Sequence, residues 1–180
     1  MTGDSASGAR ARCHRRTALA AFAGVIGIAS TVIAPPAHAG ADCSITSVGL
    51  NFGLYDPANP QHDDVAATVT VTCVYVAPGT TGVSYTVALS SGLYGTSATS
   101  RSMAAEEGLL GYNVYADATR TRIWGTGNGG TVVASGSMTV GPGVGNGTRT
   151  ATHTVYGRLP ALQDALPGHY LDTLMLTLSY

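Results

Sequence analysis

Lysine is missing from this sequence altogether. All nine cationic side chains are arginines, and four of them (Arg10, Arg12, Arg15, Arg16) fall within the first sixteen residues. The remainder therefore has no basic stripe of the kind that nucleic-acid binding needs. Charge of either sign is scarce, at 11% of 180 residues, against about 25% in a typical soluble chain. This scarcity is not a mark of disorder, which combines low hydrophobicity with high net charge; here 44% of residues are hydrophobic and the net charge is −1. Chemical motifs are lacking too. There is no G-x-S-x-G elbow, no C-x-x-C pair and no G-x-x-x-x-G-K-[ST] loop, so the usual signatures of acyl transfer, zinc or thiol chemistry and phosphate cradling are absent. No general acid–base pair or activated nucleophile is identifiable, and no enzymatic activity or cofactor is expected.

What is present begins with an export signal. A cationic start, Arg10 to Arg16, precedes a charge-free run from Thr17 to Ala34, the helix-breaking pair Pro35-Pro36, and the small-x-small triplet Ala37-His38-Ala39. Residues 1–39 are read as a signal peptide cut after Ala39, and residues 40–180 as one domain. The run is at the short limit for a membrane span of about 20 residues. The cleavage triplet follows directly, so no stable membrane span is expected after cleavage. A lipidated Cys43 is disfavoured by Asp42 before it. The exported part carries five arginines against seven aspartates and two glutamates, a net charge of −4 with neutral histidines. A weakly acidic surface rich in Thr, Ser and Gly suits an extracellular structural protein.

Export makes the cysteine count informative. Cys13 leaves with the signal, and Cys43 and Cys73 remain as an even pair in an oxidising compartment. A structural disulfide is expected between them. The chain-entropy model gives a loop of this length roughly 3.5–4 kcal/mol before strain. Two cysteines so far apart lack zinc-site spacing, and no metal site is expected.

The exported chain alternates at the strand period. Val65, Ala67, Val69, Val71, Cys73 and Tyr75 share one parity, as do Val83, Tyr85, Val87 and Leu89. Tyr112–Tyr115 and Thr121–Trp124 read as strand pieces around a polar turn, Ala116–Arg120. Thr131–Val140 and Thr150–Tyr156 read as a hairpin across the loop Gly141–Gly147. In the last segment, His169–Tyr180, one face holds Tyr170, Leu174, Leu176, Leu178 and Tyr180, interrupted by Asp172. Only Ala104–Leu110 suggests a helical turn. Short strands with Gly- and Pro-rich turns predict an all-β sandwich.

Isolated features receive structural readings. Gly125–Gly130 is a turn, and His62-Asp63-Asp64 is a solvated loop after Pro60. His153 is a sheet-face residue, and His169 has only Asp172 nearby. Arg101, in Ser100-Arg101-Ser102-Met103, is expected to lock a loop through backbone or carboxylate bonds. Asn146-Gly147-Thr148 matches a glycosylation sequon at chance level. Most of the nine tyrosines and the single tryptophan occupy core-parity positions, so they are expected to pack rather than form a sugar platform.

In order, these pieces form a series: Cys43, Leu50-Asn51-Phe52-Gly53-Leu54-Tyr55-Asp56-Pro57, Val69-Thr70-Val71-Thr72-Cys73 and Tyr85 to Gly92. Arg101-Ser102-Met103, Leu110 to Tyr115 and Trp124-Gly125-Thr126-Gly127 follow. Val155 to Pro160, Gln163 and Pro167 to Thr173 end it. The series resembles the spore coat protein U domain family, which includes subunits of archaic chaperone–usher pili. The resemblance implies an incomplete immunoglobulin-like β-sandwich lacking its final strand. It further implies a hydrophobic groove filled first by a periplasmic chaperone and then by a neighbour's N-terminal extension. The groove is expected to involve Val69, Val71, Leu174, Leu176, Leu178 and Tyr180. Expected partners are the chaperone, an usher and other pilin-type subunits. The protein would pass through the periplasm to the cell surface or a spore coat. The last alternating segment reaches Tyr180, and no further strand is expected to complete the sheet. One departure from the family stands out: only Gly40-Ala41-Asp42 precede Cys43, so the subunit is expected to accept a strand without donating one. The competing expectation is a surface-binding adhesin or carbohydrate-binding module, and a small secreted hydrolase using His153 or His169 ranks below it.

Overall fold

The computed structural model describes residues 28–29, 40–76, 79 and 81–180. Among the described residues, nine strands make two sheets. They are β1 (Ile28–Ala29), β2 (Ala41–Ser47), β3 (Asp63–Tyr75), β4 (Thr81–Leu89), β5 (Arg101–Ala105), β6 (Gly108–Tyr115), β7 (Ala134–Val140), β8 (Thr148–Leu159) and β9 (Leu174–Ser179). One sheet has the order β1-β9-β4-β7, the other β2-β3-β8-β6-β5. The fold is an all-β sandwich. Nearly all of the signal reading, including the cleavage point after Ala39, lies outside the described residues; Ile28 and Ala29 alone are placed.

Alternation turns into burial along each long strand. Val69, Val71 and Cys73 on β3 are buried while Thr68, Thr70 and Thr72 are more open. On β4, Val83, Tyr85, Val87 and Leu89 are buried; on β9, Leu174, Leu176 and Leu178 are. Cys43 and Cys73 face each other in the antiparallel β2–β3 register, with Cα atoms 4.0 Å apart, and form the disulfide. Among the described residues no helix is long and apolar enough to cross a membrane.

Three local expectations are corrected. Ala104–Leu110 is no helical turn: β5 and β6 form a hairpin around Glu106-Glu107, with Ala105 opposite Gly108. The helix preference of the Ala-Ala-Glu-Glu string yields to burial of Met103 and Leu110, which the hairpin places side by side. Thr131–Val140 and Thr150–Tyr156 are not partners. β7 pairs with β4, and β8 pairs with β3 and β6, so the loop between them crosses from one sheet to the other. Periodicity identifies strands and does not say which sheet each joins. Thr121–Trp124 is held by single bridges, Tyr115 to Ile123 and Trp124 to Val132. The turn before it is organised by Asp117, whose carboxylate accepts from the Thr119 hydroxyl and from the backbone N–H groups of Thr121 and Arg122. Those bonds, the Thr119 hydroxyl first, hold the Asp117 carboxyl far below the ordinary carboxylate range.

Candidate functional site

The two sheets end differently. In the β2-β3-β8-β6-β5 sheet, β2 and β5 are the edge strands, and Leu171 covers β5: Ala104 N–H donates to Leu171 O and Leu171 N–H to Ala104 O, both at 2.9 Å. Where β8 no longer reaches β6, the Gln163 side chain takes its place. It accepts from Gly111 N–H and donates to Gly111 O, each at 2.8 Å, as a neighbouring strand would. The Tyr55 hydroxyl fixes this segment by accepting from Gln163 N–H at 2.7 Å and donating to Pro160 O at 3.1 Å.

Polar bolts secure the interior at the same end. Arg101 is 1% exposed. Its guanidinium donates to Ser90 O, Ala98 O, Trp124 O and Asn113 Oδ1, tying four segments together. Burial brings its pKa down to about 10, against the opposing pull of Tyr112 and Asp172, so the group stays charged at neutral pH. The loop lock read from the sequence is present, and its acceptors are carbonyls. Asp172, also buried, accepts from the Tyr112 hydroxyl at 2.6 Å and from Leu93 N–H and Thr173 N–H at 2.8 Å. Burial, then the bond to Asp172, push the Tyr112 hydroxyl far above the ordinary phenol range and keep it a donor. Gly92 is required here. Its φ is +87°, and a Cβ would overlap the Asp172 carboxylate. Among the described residues no buried side-chain N or O lacks a hydrogen-bond partner.

β9 is the exception. Its inner margin pairs with β4, from Ser179 opposite Thr86 to Leu176 opposite Leu89. Ser90 extends that pairing: its N–H donates to Met175 O at 3.0 Å, and its Oγ accepts from Met175 N–H at 2.9 Å. Backbone direction alternates along a strand, so with Met175 turned to β4 the amides of Leu174, Leu176 and Leu178 turn outward. On that outward side, among the described residues, only the two-residue β1 is paired, Ile28 opposite Leu174 and Ala29 opposite Met175.

The residues expected to form the groove fall in three places. Leu174, Leu176 and Leu178 line β9 itself. Val69 and Val71 lie in the opposite sheet, on β3 between β2 and β8, and are 0% exposed. They form interior floor rather than edge. Tyr180 follows β9, and its hydroxyl donates to Asp42 Oδ1 at 3.2 Å. The sequence reading missed Ser90, which aligns β9, and Ile28 and Ala29, which lay inside the presumed leader. No chemical motif marks Ser90; only its position just after the alternating β4 run hints at a role.

A cavity of about 500 Å³ opens at the Tyr170 end of the approach to β9, lined by Leu50, Phe52, Met103, Leu110, Leu159 and Tyr170 among others. Its lining is largely apolar. The three described histidines, His62, His153 and His169, have separate surroundings. His153 Nε2 lies 2.9 Å from the Tyr85 hydroxyl, and burial lowers its pKa. His169 is exposed at the cavity rim. His62 Nδ1 accepts from Ala161 N–H. Asp63 and Asp64, read as loop, begin β3, and Asp64 pairs with Arg158 and Arg120. Among the described residues no cluster of His, Cys, Asp and Glu is arranged to hold a metal.

One solved structure similar to this chain is the CsuC–CsuE chaperone–tip adhesion subunit pre-assembly complex from archaic chaperone–usher Csu pili of Acinetobacter baumannii. Identity is 19% and the TM-score 0.49, over 78% of this chain and 40% of that one. The chain thus spans well under half the length of the chain it matches there. No curated protein matches. The family model for the Spore Coat Protein U domain matches residues 28–177, so this chain belongs to the Spore Coat Protein U domain family.

Proposed function

We propose that the protein is a non-enzymatic structural subunit of a secreted cell-surface assembly, a pilus or a spore coat, and that it takes a β-strand from a partner along the outer margin of β9. Family membership supports the subunit role. The observation that carries the strand-acceptor reading is the contrast between margins: the weak points of pairing described above are closed by the chain's own groups, while the outward amides of Leu174, Leu176 and Leu178 meet, among the described residues, only the two residues of β1. A partner strand there supplies the missing main-chain bonds. A periplasmic chaperone is the first such partner, followed by pilin-type subunits delivered at an usher.

With cleavage after Ala39, Gly40 alone precedes β2, and Ala41 already pairs with Tyr75. No arm is then left over, which supports an acceptor-only, capping or minor position. Two measurements test this reading. The exported subunit is expected to co-purify with a strand-donating partner, and Leu176→Asp is expected to abolish that association. A solitary protomer whose Leu176 and Leu178 amides exchange as slowly as those of β8 would overturn it. So, for the acceptor-only part, would fibres of the exported chain alone grown by N-terminal donation.

A further inference from the structure

Charge is divided unevenly between the two sheets. The β2-β3-β8-β6-β5 sheet carries Asp42, Asp63, Asp64, Arg149 and Arg158 among others, whereas β4, β7 and β9 hold no Asp, Glu, Arg or His. β7 is the outer strand of that uncharged sheet. It contains no proline, and its register with β4 runs from Thr81–Val140 to Val87–Ala134 without a bulge. Charge, proline and bulges are the usual protections of a strand edge, and β7 has none of them. Ser90 N–H turns to β9, so by alternation Leu89, Val87, Tyr85 and Val83 turn the other way, toward β7. There Val87, Tyr85 and Val83 stand opposite Ala134, Gly136 and Met138. The N–H and C=O groups of Ser135, Ser137 and Thr139 therefore point outward, and β4 is the sole strand partner of β7 among the described residues. The interior beneath this edge is already filled. Tyr85, 3% exposed, lies so close to Gly136 that a Cβ there would overlap its hydroxyl, which continues to His153 Nε2. β7 thus offers main-chain groups on a finished core.

We propose that β7 pairs edge to edge with β7 of a second copy of this chain, antiparallel about a twofold axis at Ser137, so that subunits associate sideways. This goes beyond the strand-acceptor reading of β9 and does not depend on it. The axis sets Ser137 opposite itself, Ser135 opposite Thr139, and Gly136 opposite Met138. The outward-turned residues then form the hydrogen-bonded pairs, with about six main-chain bonds in all. On the outer face hydroxyl meets hydroxyl, a pairing that stabilises adjacent strands. On the inner face Met138 lies over Gly136, which has no side chain to obstruct it. Charge selects a second copy as the occupant. The exported part carries a net charge of −4 with neutral histidines, and two copies that meet through their uncharged sheets avoid setting like charges against each other. The contact is the same patch on both partners, so it closes as a pair.

The test uses the full chain with Cys13→Ser, which leaves the Cys43–Cys73 disulfide intact. In one arm Ser137→Cys is added and the protein is oxidised. Its Cα atoms would face each other across the axis at about 5.5 Å, inside the range of a disulfide. Ser84→Cys is the control: Ser84 is exposed on the same face, but one strand further from the axis, so its two copies stand roughly 14 Å apart. Covalent dimer is expected to form at least tenfold faster with Ser137→Cys than with Ser84→Cys. Equal rates, or no dimer from Ser137→Cys, overturn the proposal. The second arm measures self-association by sedimentation equilibrium up to millimolar protein. The Cys13→Ser chain is expected to form a dimer, Ser137→Lys to weaken it at least tenfold by setting like charges opposite each other, and Ser84→Lys to leave it unchanged. No dimer, a dimer that Ser137→Lys does not weaken, or equal effects of the two lysines overturn the proposal. None of these outcomes bears on β9, whose reading is decided by strand binding.

Discussion

Two of the outer margins of this sandwich, at β5 and at β9, solve the same problem in opposite ways. Along β5 and β6 the exposed backbone is closed from within: Leu171 exchanges two bonds with Ala104, and the Gln163 amide exchanges two with Gly111. Along β9 the chain supplies, among the described residues, only Ile28–Ala29. The chemistry of each margin explains the difference. A single primary amide reproduces one residue of strand pairing, because it holds a donor and an acceptor side by side. It does not replace a row of outward amides along a whole strand. One margin is therefore closed by point contacts, and the other, among the described residues, only by the two residues of β1.

The comparison breaks most completely at Arg101. Arg101→Met is expected to cost more than about 4 kcal/mol, because the buried carbonyls of Ser90, Ala98 and Trp124 and the Asn113 side chain lose their donor together. Urea denaturation of the full chain would show no folded baseline. Leu176→Ala probes the other margin. Truncation of a buried leucine costs about 2–5 kcal/mol, and partner binding should weaken with it; a variant that loses stability but keeps full affinity would separate core from acceptor. Gln163→Ala removes the amide pair and is expected to cost about 1–3 kcal/mol, while leaving partner binding at β9 unchanged, as titration with the donor strand would show.

The smallest effect is set by pH. Burial depresses the folded-state pKa of His153 below its ordinary value near 6.5, so the unfolded chain binds the proton more readily. Stability from the neutral ring is fully present above the unfolded pKa and is lost as pH falls below it, through the depressed folded value. Chemical denaturation of His153→Gln should show a flatter dependence between pH 7 and pH 5 than the parent chain. No change in slope would place the acid sensitivity elsewhere, with the carboxylate of Asp64, which the Arg158 hydrogen bond holds below the usual range, the next group to examine at lower pH.

Much of this was legible beforehand, and for local reasons. The period-two patterns of Val65–Tyr75 and Val83–Leu89 predict strands because successive side chains must point to opposite faces. Count and compartment pair Cys43 with Cys73, and the structure makes them direct partners. The loop around Arg101 reads as a lock, and its guanidinium holds four acceptors. Illegible were the assignments that depend on what lies across space. Asp172 looked like an interruption of an apolar face; it is the acceptor that Tyr112, Leu93 and Thr173 share. Ala104–Leu110 carried a helical preference that hairpin burial overrode. Val69 and Val71 share the apolar strand parity of the β9 leucines, and parity does not say that they sit in the opposite sheet.

The sequence by itself carries the expectation of export, and it determined the pairing of Cys43 with Cys73 and the alternating strands, since each of these follows from charge, count or a two-residue period within one segment. Only the tertiary structure decided which strands share a sheet, which margin is sealed by Gln163 and Leu171, and which is left to β9. Those outcomes depend on contacts between residues tens of positions apart, and a local period holds no information about them.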